Sequence, residues 1–373
     1  MTVFAQSSVT ISGLVDLGYG SQKTYGDNTS AVLQNMSKTS TFKFAGTEDL
    51  GGGLNANFQF EVQPSYVAGN GNATTAAINT TTTAAYANGA AVGGTIAQTA
   101  QSGLVGKGQN WLGLGSATAG GIRFGTINTA TLGAHGTAAQ AMGTNVGSGY
   151  KEIVSEYTRY ENSFAYASPT MNGLSAGFIR ATGMDQVYGT TTAITLRRPE
   201  VNELALNYDQ GPVTLRAVSL KSKTSPNEAA ASANITTRVT TMAGKYDAGI
   251  VRLGALSQSL SDDLATPTKY KTSMYSVEVP VGAFTFTALT GVQKVTGVGT
   301  TPVTAKTIGD NKVTTLQAKY DLSKRTYVYL MNVNRTMTSS TNWGAVVVNG
   351  AALSAVPTDP TIKTTGLGIV HNF

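Results

Sequence analysis

Hydrophobicity along this chain repeats with a period of two. Leu54, Ala56, Phe58, Phe60 and Val62 fall on one side of an extended segment, and Asn55, Asn57, Gln59 and Glu61 on the other. A pleated strand sends successive side chains to opposite faces, so this pattern predicts a strand with one apolar and one polar face. The alternation recurs. Val9, Ile11, Val15, Leu17 and Tyr19 oppose Thr10, Ser12 and Asp16; Phe284 and Phe286 oppose Thr285 and Thr287; Leu316, Ala318 and Tyr320 oppose Thr315, Gln317 and Lys319. Only 12% of residues are charged, and 16 Tyr and 11 Phe argue against a disordered chain.

Short turn signals join these strands in pairs: 48–53 (EDLGGG), 116–121 (SATAGG), 169–173 (PTMNG), 209–211 (DQG), 247–249 (DAG), 280–282 (PVG) and 321–324 (DLSK). Seven hairpins, with a strand near 8–19 and one near 365–373, give about sixteen strands. The other connections are long: 20–37, 64–108, 127–161, 182–200, 222–235, 260–268, 294–312 and 336–364. Short turns on one rim and long loops on the other predict an all-β, antiparallel transmembrane barrel of the outer-membrane type. Tyr208-Asp209, Tyr246-Asp247 and Tyr320-Asp321 end strands just before turns, and Tyr166 nearly does, as an aromatic girdle at a membrane interface requires. Segment 66–105 is rich in Ala, Thr, Asn and Gly and reads as either a disordered insert or a folded external loop.

Other classes of function find little support. Cysteine is absent, so no disulfide, thiolate nucleophile or cysteine metal site exists. Only His135 and His371 are present, and no HExxH, P-loop or GxSxG motif stands out. Glu152, Glu156 and Glu161 lie near Arg159 and read as ion pairs. No enzyme activity, metal or cofactor is expected. Net charge is +6 without a dense Lys/Arg block, so nucleic acid is not an expected partner. No run of about eighteen apolar residues marks a helical span. Val3-Phe4-Ala5 looks like the end of a signal peptide, so residues 1–6 read as its remnant or a cloning scar, and 7–373 as one barrel domain.

With the apolar face toward lipid, Asp16, Lys43, Glu61, Arg123, Arg159, Glu203, Arg216, Lys245, Arg252, Glu278 and Lys319 point inward or to the pore mouth. Seven are basic and four acidic. A sixteen-stranded ring encloses water, and fixed charge there biases which ions enter, so modest anion preference is expected. The third long loop, about 127–155, starts with ATLGAHGTAAQAMGTNVGSG and has no carboxylate in that stretch. Folded inside, it would narrow the channel with small groups.

Six blocks carry a family resemblance: SSVTISGLVDLGYG at 7–20, GTEDLGGGL at 46–54, GGIRFGT at 120–126, RYENSFAYASPTMNGLSAGF at 159–178, LSKRTYVY at 322–329 and GLGIVHNF at 366–373. They span the chain in order and resemble the general diffusion porins of Gram-negative β-proteobacteria. The resemblance implies a sixteen-stranded outer-membrane barrel with its third loop inward, forming homotrimers that pass ions and small hydrophilic solutes passively. It implies as partners the bilayer, lipopolysaccharide and the barrel-assembly machinery, the last reading the strand that ends in Phe373. Asp16, Arg123 and Arg159 match family positions that line the channel. Thr41, Ala45, Thr126 and Val370 stand where the family often has Arg, which thins the basic ladder. Two alternatives remain: a substrate-specific channel, or a receptor or adhesin acting through loop 64–108.

Overall fold

Alternation becomes architecture once the polar rows share an enclosed side. The computed structural model describes residues 8–24, 27–64, 108–154, 158–182, 185–188, 194–197, 200–224, 235–263, 265, 267, 269–297, 309–337, 347–348, 351–352 and 361–373. Seventeen strands hydrogen-bond into one sheet. Two of them, Asp27–Gln34 and Thr41–Gly51, are successive halves of one stave, because both pair with the first strand. The ring therefore has sixteen antiparallel staves, and the last pairs with the first from Leu14 to Thr24. Closure leaves no free edge in lipid.

In chain order the staves are β1 (Ser8–Thr24), β2 (Asp27–Gln34 and Thr41–Gly51), β3 (Leu54–Val62), β4 (Asn110–Ser116) and β5 (Gly120–Asn128). After the helices α1 (Ala130–Ala139) and α2 (Tyr150–Ile153) come β6 (Arg159–Ala167), β7 (Leu174–Ala181), β8 (Glu200–Gln210) and β9 (Val213–Thr224). Next are β10 (Ile235–Asp247), β11 (Arg252–Asp262), β12 (Lys269–Val281) and β13 (Phe284–Gly297). The ring ends with β14 (Gly309–Asp321), β15 (Thr326–Met337) and β16 (Thr361–Asn372). All seven expected short turns fall between consecutive staves on one rim.

Leu204, Leu206, Leu215, Met242, Phe284, Phe286, Leu316 and Leu367 are exposed on the outer face. In water each would forgo about 1.5–3 kcal/mol of burial, so this face is built for lipid. Tyr246 and Tyr320 point outward at the short-turn rim, while the neighbouring Asp247 and Asp321 pair inside. A Tyr-Asp step thus serves both faces of one strand end.

The expected connection 20–37 needs correction. It is largely strand: β1 continues to Thr24 and the chain returns as Asp27–Gln34. Beyond the bilayer neither face meets lipid, so the hydropathy period that marks a strand fades there. Residues 1–6 and the segment 66–105 lie outside the described residues.

Candidate functional site: the channel constriction

Two segments leave the wall and enter the lumen: residues 35–40, between the halves of β2, and residues 129–154, after β5. Thr129 caps α1 by accepting the Leu132 N–H at 3.1 Å. The first-turn N–H groups point at Glu203 on β8, whose carboxylate accepts from Ala130 N (2.8 Å), Thr131 N (3.1 Å) and Thr131 Oγ1 (3.0 Å). A carboxylate at a helix N-terminus meets both unsatisfied donors and the positive end of the dipole. Glu278 on β12 accepts from Ala141 N at 3.0 Å and from Arg252 Nη1 at 2.6 Å. Asp16 on β1 accepts from Ser37 N (2.8 Å), Lys38 N (2.7 Å) and the Tyr329 hydroxyl.

These three carboxylates are 0%, 1% and 4% exposed for Asp16, Glu203 and Glu278 respectively. A buried charge is tolerated only when donors surround it, and the inward segments supply them. Asp16 therefore corrects the expectation of a channel-lining side chain. It points inward, but segment 35–40 covers it.

Wall donors also hold the loop's carbonyls. The Tyr270 hydroxyl donates to Val154 O at 3.0 Å, Gln293 Nε2 to Ile153 O at 3.0 Å, and the Thr315 hydroxyl to Gly147 O at 2.6 Å. Around them Ala134, Ala138, Met142, Tyr150 and Ile153 pack on Leu256, Met274, Leu289, Val313 and Met331. At Gly291 a Cβ would meet Ile153 and Val313, so glycine leaves α2 room against β13. His135 is buried here, edge-on to Tyr150 with ring centroids 4.9 Å apart. Neither of its nitrogens has a partner among the described residues, and burial pushes its pKa down to about 3.

The loop leans on β9 to β14, so open lumen remains beside β2 to β6. Arg123 faces that space, its guanidinium 4.4 Å from the Trp111 ring centre, beside the amide row of Asn55, Asn57 and Gln59. Lys43 and Glu61 are cross-strand neighbours on the inner face. Arg159 bonds Asn128 Oδ1 at 3.3 Å and feels Glu61 and Glu161.

On the far wall, Arg216 pairs with Asp209 at 2.8 Å, Arg252 with Asp247 at 2.9 Å, and Lys319 with Asp321 at 3.0 Å. Lys319 also lies 5.1 Å from the Tyr327 ring centre. Lys38 was not foreseen, because it sits on no strand. It lies within electrostatic reach of Asp16, Glu278 and Lys319 and close to Gly143 of the loop. Phe373 meets Phe42 with centroids 5.1 Å apart, and its backbone exchanges hydrogen bonds with Gly13, seaming the barrel shut.

Residues 2–340 match the family model described as Gram-negative porin. The chain is 25% identical to an outer membrane porin protein of Bordetella pertussis, over 99% of this chain and 95% of that one. Its fold is similar to the anion-selective porin from Comamonas acidovorans, with a TM-score of 0.71 and 21% identity, covering 99% of this chain and 100% of that one. It is also similar to the trimer form of OmpT from Vibrio cholerae, with a TM-score of 0.64 and 12% identity, covering 98% and 99%. A closed, lipid-facing ring narrowed from within lets small solutes cross a membrane, and the chain belongs to the Gram-negative porin family, outer-membrane channels for passive diffusion.

Proposed function

We propose that anions pass this channel more readily than cations, because its lumen hides acids and leaves bases in water. The observation that carries this reading is the burial of Asp16, Glu203 and Glu278 beneath the inward segments. Arg216, Arg252 and Lys319 are balanced by Asp209, Asp247 and Asp321. Lys43 faces Glu61. What remains toward the passage is positive: Arg123 beside Trp111 and Lys245 on the inner face of β10. Fixed charge in a narrow, water-filled constriction concentrates counter-ions. The reading agrees with the anion selectivity of the Comamonas porin.

The test is the reversal potential under a salt gradient for the wild type and for R123E. The wild type should prefer chloride, and R123E should move the potential toward the cation side without closing the channel. An unchanged potential in R123E would remove Arg123 from the selectivity machinery.

A homotrimer is the proposed assembly, supported by the likeness to trimeric OmpT. Conductance closing in three equal steps tests it. The outward alternation of Leu367, Ile369, His371 and Phe373 is proposed as the signal read during barrel assembly. F373A should slow insertion while leaving the conductance of inserted channels unchanged.

A further inference from the structure

We infer that the lumen wall between the constriction and the short-turn mouth carries a weak, saturable site for planar aromatic carboxylates, centred on Trp111 and Arg123. The inference deepens the proposed function by naming a solute class, and it rests on the reading that this side of the lumen is the open passage. A cavity of about 690 Å³ lies on the inner face of β1 to β6, the side that the constriction loop leaves uncovered. That is the size of a small-molecule site. No Asp or Glu is among the described residues that line it. Asp49, opposite Asn55 in the register, turns back into its own turn, where Oδ1 accepts the Gly51 N–H at 2.8 Å.

Donors on this wall outnumber the acceptors left for them. Arg123 holds its guanidinium 4.4 Å from the Trp111 ring centre and makes no hydrogen bond or ion pair among the described residues. The Trp111 Nε1–H is buried and has no acceptor there either. The Thr47 hydroxyl donates to Asn57 Oδ1 at 2.9 Å, and Asn57 Nδ2 donates to Asn55 Oδ1. This relay occupies both amide oxygens and orients the amides, leaving Asn55 Nδ2 as a donor with nothing to bond. A donor shut away from water without an acceptor costs free energy, so a ligand that only accepts is stabilised here. A sugar hydroxyl must also donate and finds the amide oxygens taken. A carboxylate only accepts, and its two oxygens match the guanidinium fork.

Shape selects the body of the solute. Trp111, Gly113 and Gly115 follow one another along the inner face of β4, and Gly121 opposes Gly115. A Cβ at Gly115 would stand 2.5 Å from Asn55 Oδ1 and 3.1 Å from Asn57 Nδ2; one at Gly113 would stand 3.1 Å from Arg123 Cγ. The amides and the arginine stem therefore lie down against the strand, because glycine has no side chain to lift them. The surfaces offered to a solute are planar: an indole, a guanidinium, two amides and a glycine backbone. Aromatic rings gain from offset contact with such planes. A site on a diffusion path must also release its solute, so half-saturation by a molecule of benzoate size is expected at roughly 1 mM.

The probe is 4-nitrobenzoate, whose ring quenches indole fluorescence. The chain has two tryptophans, so detergent-solubilised W343F reports on Trp111 alone. Quenching should saturate, and benzoate should reverse it. Acetate lacks the ring and 4-nitrobenzyl alcohol lacks the charge, and each should bind about tenfold more weakly or worse. In the same background R123Q should weaken 4-nitrobenzoate binding by about tenfold to a hundredfold, and N55A by about threefold. The comparison of ligands needs no substitution inside the site, so it decides the matter even where a variant fails to insert.

Quenching that rises linearly and equally for the acid and the alcohol would overturn the inference. So would wild-type affinity in inserted R123Q, or acetate displacing the probe as well as benzoate does. The wild-type reversal potential in potassium chloride, measured without aromatic acid, separates this inference from the selectivity reading. Chloride preference with unsaturable quenching defeats the site alone. Saturable quenching in a cation-preferring channel supports the site and defeats the selectivity reading.

Discussion

Removing the Glu203 carboxylate should release the constriction loop from the wall while leaving the barrel intact. Glu203→Ala deletes one buried acceptor group that takes three hydrogen bonds, two of them from the first-turn N–H groups of α1. Bonds to a charged group are worth roughly 1.5–3 kcal/mol each, and donors left buried without a partner add to the loss. Water entering the vacated space returns part of it, so about 3 kcal/mol is expected on loop docking. That is roughly a hundredfold or more in the docked-to-released ratio.

Amide hydrogen exchange at Ala130 and Thr131 should accelerate by that factor, while amides of β12 to β15 stay protected. Single-channel current should become noisier and its mean larger. Glu203→Gln keeps an acceptor oxygen but loses the charge facing the helix N-terminus, and should cost about 1–2 kcal/mol. An inserted Glu203→Ala barrel with wild-type exchange and wild-type current would refute the idea that this carboxylate holds the loop.

Acid should act on the same loop through His135. Its docked pKa is about 3, below the free value near 6.5, so the released loop binds more protons and docking weakens as pH falls from 6.5 toward 3. At pH 5 the loss is about 2 kcal/mol; current variance should grow from pH 7 to pH 5 in the wild type and much less in His135→Met. Gly291→Val would place side-chain atoms against Ile153 and Val313, and at about 1–3 kcal/mol of overpacking should produce a noisy, wider channel measurable in single-channel traces. Tyr329→Phe removes one donor from buried Asp16, leaving Ser37 N and Lys38 N, and should cost about 1–3 kcal/mol, read as a lower temperature of barrel unfolding on a gel.

The outer face was legible because lipid imposes a strict rule on every second residue. Phe284, Phe286, Leu316 and Tyr320 fell on the predicted side, and all seven short turns were marked by their own residues. Legibility failed where the rule stops. Residues 20–24 and 27–34 lie on strands, but their sequence is mostly polar and reads as loop. Alternation also gives the side of the wall, not the depth. Asp16, Glu203 and Glu278 were placed inward, but their burial depends on partners 21, 73 and 137 positions away. Lys38 lies between the halves of a stave and had no period to mark it. The charge count was therefore more evenly balanced in the sequence than it is at the water-filled surface.

The decisive measurement is the reversal potential of the wild-type channel in a planar bilayer under a potassium chloride gradient at neutral pH. Stable passive conductance with the sign of chloride preference is the result this account requires. A cation-selective potential would mean that the buried carboxylates reach the ion path after all, and would contradict it.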